Sequence, residues 1–540
     1  MKKQLLFIVL IMLPLVAIAR GIEVDGIFYN FNRSEKTAQV ARWAYYDLKY
    51  SGDIVIPSTV VRNDIEYNVT SIESKAFYEC PELTSVTIPN TVISIGNNIF
   101  EGCTNLASII VEEGNPNYDS RENSNALIET TSNKLIMGCK GTIIPDGVTT
   151  IGQQAFQGCC GLTSISIPSS VKTIENSAFN RCTGLTSIMI PDRVTSLQGD
   201  ALKGCSGLTF VYLGKSLISI PECLFEGCDN LKTIEINNNA LVSRQLTDNE
   251  NGNMTSIQWM LGNSPVEEII LGEDVTSIGD YAFRGCAMHS IKMTDSVTRI
   301  GDYAFYGCSQ LTSIELSNNL EYIGKWAFSV CQSLPSITIP ESVKCIDLIA
   351  FSFCYNLTKV EINSNEVVAR ENEQFYTLTS CFGRQVKEFV LGENVKKIAW
   401  IACSENEKLT TVTISSNLTC IDDSAFHKCM SLSDMYCYAE QVPEMGKDVF
   451  VDSNYKNATL HVPAASVEAY QNAEQWKDFG SIVALTDDDP KPTGISEMEY
   501  APMTTNKAIY DLQGHQLTQP KKGLNIIKMS DGTTKKVVIK

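Results

Sequence analysis

A phrase of 23 residues recurs along most of this chain, and it limits the possible folds more than any other feature. One copy runs from Ile167-Pro168 to Ile188 and reads Ile-Pro-x-x-Val-x-x-Ile-x-x-x-Ala-Phe-x-x-Cys-x-x-Leu-x-x-Ile; the next begins at Ile190-Pro191. A fixed period of this length predicts a solenoid, because one unit cannot bury its apolar face alone and must stack on its neighbours. We therefore predict a β-rich, curved stack of repeated units.

The Ala-Phe pair of the phrase, here called the marker, sets the phase of about twelve units. Within a unit, Ile188 and Ile190 alternate with Met189, which predicts a strand with Met189 facing outward. Pro191 ends that strand, and the stretch from the marker to the following Cys is predicted to form a returning turn. The marker positions are Phe77, Phe100, Phe156, Phe179, Leu202, Phe225, Phe283, Phe305, Phe328, Phe351, Cys403 and Phe426.

Three interruptions of the period and two atypical ends give the predicted domain organisation. The first interruption holds two strand-like runs and predicts a hairpin, whereas the other two resemble each other and predict variant units with a loop. The predicted boundaries are a signal peptide at 1–19, an N-terminal cap at 20–70, repeats at 71–437 with insertions at 112–143, 237–268 and 363–388, a C-terminal cap at 438–484, a linker at 485–493 and a small β tail at 494–540.

The predicted signal peptide consists of Lys2-Lys3, an apolar run from Leu5 to Val16 and the small-residue site Ala17-Ile18-Ala19, so we expect export. No later stretch is apolar for long enough to predict a transmembrane segment in the mature chain. The formal net charge of −19 argues against nucleic acid as a partner, since its phosphates require a basic surface. It also argues against an anionic membrane surface.

Cysteine is the obvious candidate for chemistry, since the chain has 19 of them and eleven occupy the same position of the phrase. In an exported chain disulfides come to mind first, but a residue repeated once per unit points inward, where a thiol packs as a hydrophobe. We favour such ladder packing over disulfides or metal, and the absence of close Cys-x-x-Cys pairs disfavours zinc. The predicted structural ladder comprises Phe77, Cys80, Phe156, Cys159, Phe179, Cys182, Phe283, Cys286, Phe305, Cys308, Phe328 and Cys331.

No constellation in the sequence predicts catalysis. The four histidines stand apart from any nucleophile or paired carboxylate, and there is no phosphate-binding loop or HExxH motif. We therefore predict no enzymatic activity, no catalytic residues, no cofactor and no metal site.

The outward strand positions are the favoured binding residues. Ile110, Met189 and Tyr212, with Phe210 nearby, put apolar groups on an otherwise polar line of side chains, and exposed apolar groups in one place can mark an interface. Scattered surface apolar residues are also normal, and the loops at 237–268 and 363–388, with Trp259 and Phe375, are rival sites. The candidate binding residues are Met189, Phe210, Tyr212, Glu235, Lys292 and Glu315.

The repeated phrase closely resembles the BspA-like leucine-rich repeat, also called the Treponema pallidum type, over residues 55–437. The cap phrase Val462-Pro463 with Tyr470, Trp476 and Phe479 is similar to the end of such proteins from Bacteroidota. The tail phrases Ile509–Gly514 and Lys536–Lys540 resemble the C-terminal sorting domain of that phylum. The resemblance implies a leucine-rich-repeat solenoid in a secreted or surface-attached protein, and some members adhere to host matrix proteins or to other bacteria.

These observations lead to one favoured hypothesis and two alternatives. The favoured hypothesis is a secreted or surface-attached binding protein, an adhesin that recognises a host protein or glycan outside the bacterial outer membrane. One alternative is an envelope structural or assembly protein without a host ligand. The other is a targeting module of an enzyme complex.

Overall fold

The computed structural model of the protein describes residues 21–43, 49–243, 256–370 and 376–492, and the backbone of strands between 508 and 539. The predicted signal peptide at 1–19 and Phe375 lie outside the described residues. The chain divides into two compact units, Met1–Pro492 and Thr493–Lys540.

The larger unit is a β-solenoid of stacked turns of about 23 residues, which confirms the predicted fold class. Most turns contribute one strand to a parallel array of three ladders, here called the front sheet, in which Ile188 pairs with Val211 and Val211 with Ile234. Residues with even spacing face the core, and the residue between them faces solvent except at Val390 and Thr413, which are buried. The front strands are Gly52–Val55, Leu83–Ile88, Ser108–Val111, Ser187–Ile190, Phe210–Leu213, Thr233–Ile236, Glu268–Leu271, Ser290–Lys292, Ser313–Glu315, Ser336–Ile339, Lys359–Ile362, Glu388–Leu391, Thr411–Ile414, Asp434–Cys437, Thr459–Val462 and Ser481–Ala484.

The hydrogen-bonded ladder of the front sheet is interrupted between Ser313–Glu315 and Ser336–Ile339, and one residue accounts for the break. Pro335 directly precedes the later strand, where neighbouring units have Thr312 and Thr358, and proline has no N–H to donate to the preceding turn. Proline thus removes a bond from the ladder without displacing the turn, since Phe305 and Phe328 still stack beneath it with ring centroids 4.9 Å apart.

A second, narrower parallel ladder runs along the solenoid beside the front sheet. Most of its two-residue strands begin two residues after the repeated Val of the unit; Thr173, for example, pairs with Ser196 and Ile174 with Leu197. The strands are Ser94–Ile95, Thr150–Ile151, Thr173–Ile174, Ser196–Leu197, Ser277–Ile278, Arg299–Ile300, Tyr322–Ile323, Cys345–Ile346, Lys397–Ile398, Cys420–Ile421 and Glu444–Met445.

A stack of phenylalanine rings fills the interior behind the returning turns. Phe283, Phe305, Phe328 and Phe351 stack with successive ring-centroid distances of 5.2, 4.9 and 4.8 Å and nearly parallel planes. Phe382 extends the stack at 5.0 Å although it lies in a variant unit without the marker. Offset ring stacking adds to the burial of these large apolar side chains, so each turn is held against its neighbour.

The cysteines of the ladder are free thiols, and Cys182, Cys308 and Cys331 each bond to a carbonyl oxygen of the neighbouring turn. Cys182 donates its S–H to the carbonyl oxygen of Phe156 at 3.1 Å, and Cys205 donates to Phe179 at 3.0 Å. The same Phe179 carbonyl also accepts the backbone N–H of Cys182, so both of its lone pairs are used. A small apolar residue would fill this position but leave the second lone pair of a buried carbonyl unused. Most ladder residues are fully buried, whereas Cys159 is half-buried.

The first interruption is a hairpin, here called the hairpin unit, that separates two hydrophobic cores. Ala126–Glu129 pairs antiparallel with Lys134–Gly138, and a short strand, Tyr118–Asp119, and a 3-10 helix, Arg121–Asn123, precede them. Leu127 packs in the core on the N-terminal side, whereas Ala126 and Ile128 pack in the core that continues to the C-terminal cap. Opposite faces of one strand therefore serve two cores.

The other two interruptions are variant units, and each replaces the returning turn by two short helices. The helices are Asn239–Val242 and Ser256–Leu261 in the first, and Asn365–Val368 and Leu378–Phe382 in the second. The side chains of Asn238 and Ser364 cap the first helix of each pair by accepting a backbone N–H three residues on. The front strand of each variant unit nevertheless keeps its place in the sheet.

The two ends differ from the repeats. At the N-terminal end Ile22–Val24, Ile27–Asn32, Thr37–Val40, Thr59–Arg62 and Ile65–Ile72 form a sheet that continues into the second ladder at Ser94–Ile95. At the C-terminal end the sequence predicts a helical run from Ala464 to Lys477, and in the structure this run is broken into Ala464–Ser466, Val467–Asn472 and Trp476–Asp478, which bury Tyr470 and Trp476. We expect such a run to cover the open edge, but a strand, Ser481–Ala484, pairs with Thr459–Val462 instead.

The smaller unit, Thr493–Lys540, is an antiparallel sheet in the residues that the structure describes. Its strands are Ala508–Tyr510, Gln516–Leu517, Gly523–Lys528 and Thr534–Ile539. Gly523–Lys528 lies between Ala508–Tyr510 and Thr534–Ile539.

Candidate functional site

The outward side chains of the front sheet lie in register within each of its three ladders, and together they are here called the outward row. Met189 pairs with Tyr212, Tyr212 with Glu235, and Lys292 with Glu315. Ile270 stands between Glu235 and Lys292, because the first variant unit keeps its strand in the sheet. Phe210 lies two residues before Tyr212 and therefore on the same face. The structure thus places all six candidate binding residues on one surface.

The first half of the outward row is apolar and exposed. Ile110 is 46% exposed, Met189 is 59% exposed, and Ile143 is 69% exposed. Ile143 is absent from the sequence-based candidates because the hairpin unit has no marker, yet Ile143-Ile144-Pro145 repeats the phrase Ser166-Ile167-Pro168. A cleft of about 570 Å³ lies beside it, lined by Thr142, Ile143, Pro145, Ile165, Ser166 and Pro168 among others.

Tyr212 lies at the end of this apolar half, and two hydrogen bonds hold its hydroxyl in place. Its hydroxyl donates to Asp192 Oδ1 at 2.9 Å and accepts from the Asn237 amide at 3.2 Å. Burial of the ring, with the hydrogen bond to Asp192, raises the pKa of Tyr212 to about 12. The hydroxyl therefore stays protonated at neutral pH, and the ring is held in one orientation.

The second half of the outward row is charged. The Lys292 ammonium lies 3.4 Å from Glu268 and 3.8 Å from Glu315. Lys359 lies 2.7 Å from Glu388 in a later turn. Exposed pairs of this kind contribute little to stability, but they make this half polar and strongly hydrated.

At the C-terminal end the row meets the chain's own linker. Tyr436 stacks on His461 with ring centroids 4.3 Å apart, and His461 Nε2 lies 3.3 Å from Asp434. The Tyr438 hydroxyl donates to the carbonyl oxygen of Pro490 at 3.1 Å. The linker segment before Pro492 therefore contacts this end of the front sheet.

The rival loop sites are only partly described. Trp259 lies on the helix Ser256–Leu261 and is half-buried, and its carbonyl accepts the backbone N–H of Cys223 at 2.7 Å. Phe375 lies outside the described residues.

Within the described ranges no group of three or more His, Cys, Asp or Glu is arranged to hold a metal ion. In the same residues, no helix is both long enough and apolar enough to cross a lipid bilayer.

Comparison with known families gives a match over most of the chain. The profile described as BspA type leucine rich repeat region matches in six copies, over residues 57–134, 134–247, 260–381 and 376–475. No curated protein matches the chain.

Solved structures of leucine-rich repeat proteins also match. A leucine-rich repeat protein from Bacteroides ovatus ATCC 8483 is 24% identical, with 86% of this chain and 100% of that chain covered and a TM-score of 0.27. A leucine rich cell surface protein from Faecalibacterium prausnitzii A2-165 is 24% identical, with 73% and 94% covered and a TM-score of 0.28. The leucine rich repeat protein of T. pallidum is 24% identical, with 40% and 84% covered and a TM-score of 0.24.

Proposed function

The chain belongs to the BspA-type leucine-rich repeat family, and from this premise we propose that it is a surface-attached binding protein, an adhesin that recognises a host protein or glycan. The ligand would lie on the front sheet along the outward row, and binding would consist of many modest contacts without a reacting residue. We propose no catalytic role.

The observation that carries this proposal is the apolar half of the outward row. Ile110, Ile143 and Met189 each expose about half or more of their side chains on one face, next to the oriented ring of Tyr212. Burying such apolar area on binding is favourable, at roughly 25 cal/mol per Å². A rigid sheet also loses little conformational entropy when a ligand binds to it.

The location at the bacterial cell surface is part of the same proposal. It is supported by the predicted signal peptide and by the family, one of whose solved structures is described as a cell surface protein. An acidic chain with a net charge of −19 also resists self-association.

The proposal is tested by binding the chain from Arg20 to Lys540 to an array of host matrix proteins, mucins and glycans at physiological salt. We expect a saturable ligand whose affinity falls at least tenfold, about 1.4 kcal/mol, in the double variant Ile143→Ser with Met189→Ser. Both side chains are exposed, so the fold should be unaffected.

Thr338→Ser is the matched control, since Thr338 is an exposed outward residue of the charged half. A ligand that ignores the double variant would move the site away from the apolar half. An array without any ligand would favour the envelope structural role.

A further inference from the structure

The two ladders of the solenoid end at different turns near the C-terminal cap. The front sheet continues through Thr459–Val462 to Ser481–Ala484, whereas the second ladder ends at Glu444–Met445. A cleft of about 1170 Å³ lies beside the end of the second ladder. It is lined by residues 447–453, here called the last returning turn, and by residues 473–476 of the cap among others.

Inside the stack, most returning turns donate backbone N–H groups from alternate residues to the next turn. Ser424, Phe426 and Lys428 donate to three carbonyl oxygens of the last returning turn, at 3.1, 3.0 and 3.1 Å. The corresponding groups of the turn at 177–181 donate in the same way, at 3.1, 2.9 and 2.8 Å. A row of three donors is thus a regular means by which one turn binds the next.

The corresponding N–H groups of the last returning turn belong to Asp448, Phe450 and Asp452. None of the three has a hydrogen-bond acceptor within the described residues, and all three residues line the cleft. Asp448 and Asp452 have positive φ angles of 52° and 56°, and Ser424 and Lys428 of the preceding turn have 57° and 59°. The last returning turn therefore repeats the conformation of an interior turn, and its row of donors is an open edge to which a further segment can pair.

The cap closes the apolar interior at this turn but not the hydrogen-bonding edge. Tyr455 stacks on Phe450 with ring centroids 5.0 Å apart, so the ring stack is covered. The Gln475 side chain accepts the N–H of Val449 at 2.9 Å and donates to the carbonyl oxygen of Gly446 at 2.7 Å. Neither contact uses the three alternate N–H groups. An occupant of the cleft therefore needs backbone acceptors rather than a large apolar face.

The charges around the cleft favour a basic occupant. Coulomb attraction to a lining with an excess of carboxylates favours Lys and Arg over Asp and Glu. A second copy of the chain is disfavoured, because two molecules of net charge −19 repel each other. The charged lining residues are the exposed carboxylates of Glu444, Asp448, Asp452 and Glu474 and the ammonium groups of Lys447 and Lys456.

We propose that the last returning turn binds a basic segment of a partner protein, whose backbone carbonyl oxygens take the place of a further turn. A polypeptide is the occupant because the interior junctions pair these same N–H positions with carbonyl oxygens of alternate residues. When a segment adds to an open edge in this way, its main chain supplies affinity and its side chains supply specificity. The site is separate from the outward row and does not rest on the function proposed for that row.

The test uses the chain from Arg20 to Lys540 and a library of ten-residue peptides that each carry three Lys or Arg residues. A matched library carries Glu at those positions. We expect saturable binding by members of the basic library only. Residue-resolved hydrogen exchange should show the amides of Asp448, Phe450 and Asp452 exchanging rapidly in the free chain and roughly tenfold or more slowly with a bound peptide.

The variant Asp448→Asn with Asp452→Asn removes two carboxylates and keeps the N–H groups, so binding of the basic peptides should weaken roughly tenfold. Asn is chosen because it tolerates the left-handed backbone of both positions. The control, Asp200→Asn with Glu405→Gln, removes exposed carboxylates at the same two positions of interior turns, where φ is 58° and 57°. It should bind the peptides unchanged, and unchanged denaturation midpoints would show that both variants fold.

Three outcomes would overturn the proposal. Slow exchange of the three amides in the free chain would mean that the edge is already covered, and loss of that protection on dilution would identify a second copy as the cover. Equal binding of the acidic library would remove the charge selection. Basic peptides that bind without slowing exchange at these amides would show a contact with the carboxylates alone.

Discussion

The two halves of the outward row stand on the same scaffold but present opposite surfaces. From Ile110 to Tyr212 the row is apolar except for Ser166, whereas from Lys292 to Lys359 it and its flanks carry paired charges. Beneath both halves the same stack of Phe and Cys repeats, with Phe156 and Phe179 5.1 Å apart and Phe283 and Phe305 5.2 Å apart. The interior sets the geometry, and the outward residue of each unit is free to differ.

The largest expected effect tests whether the interior is really common to both halves. Phe179→Ala and Phe305→Ala should each lower the free energy of unfolding by about 3–5 kcal/mol, because both rings are fully buried in the stack. Chemical denaturation followed by circular dichroism measures the loss. Phe353→Ala is the control, since that ring is 48% exposed and should cost far less. Clearly unequal losses at 179 and 305 would mean that the halves differ inside as well.

A smaller effect is expected from the thiols. Cys182→Ala and Cys308→Ala should each lower the free energy of unfolding by about 1–2 kcal/mol, since each S–H bonds a buried carbonyl at 3.1 Å and each side chain is buried. Cys160→Ala should have no measurable effect, because Cys160 is exposed. Equal stability of all three variants would show that the bonds to the carbonyls add nothing.

Alkylation with iodoacetamide gives an independent reading of the same thiols. Burial raises the pKa of Cys308 to about 12 and that of Cys182 well above its ordinary value, so neither forms thiolate at pH 8 in the folded chain. We expect mass spectrometry to find Cys160 and Cys223 labelled first, since both are exposed. Early labelling of Cys182 would contradict the buried ladder.

The smallest effect distinguishes the two halves directly. Lys292→Gln should lower the free energy of unfolding by less than about 1 kcal/mol at low salt and by almost nothing at high salt, because its partners Glu268 and Glu315 are screened. Met189→Gln in the apolar half should show no salt dependence. Parallel denaturation series at two salt concentrations measure both. A salt-dependent Met189→Gln would remove the contrast between the halves.

The sequence predicts the solenoid well because the marker repeats the residues that the core requires. It misses Ile143 and Ile270 in the outward row because the hairpin and variant units replace the returning turn that carries the marker. Phe382 enters the ring stack from a helix for the same reason. Both variant units keep the front strand, and the second also keeps a ring in the stack, although the intervening chain differs in length and conformation from a regular turn. A search for a fixed 23-residue period therefore misses these positions.

The stack of Tyr281, Tyr303 and Trp326 on the returning turns is a different kind of omission. Tyr281, Tyr303 and Trp326 are visible in the sequence just before three markers, but their left-handed backbone and mutual stacking appear only in three dimensions. The role of the repeated Cys as a donor to the previous turn is likewise a matter of geometry, since packing alone accounts for a small buried residue there.

The hairpin unit has a consequence for how the protein loses its structure. Leu127 belongs to one core and Ala126 and Ile128 to the other, and both parallel ladders are interrupted there in the described residues. In a stack where each turn touches only its neighbours, such a junction is where cooperativity is weakest. Heating should therefore unfold the two cores in separate transitions. Because the hairpin unit contributes residues to both cores, it should remain folded as long as either core does.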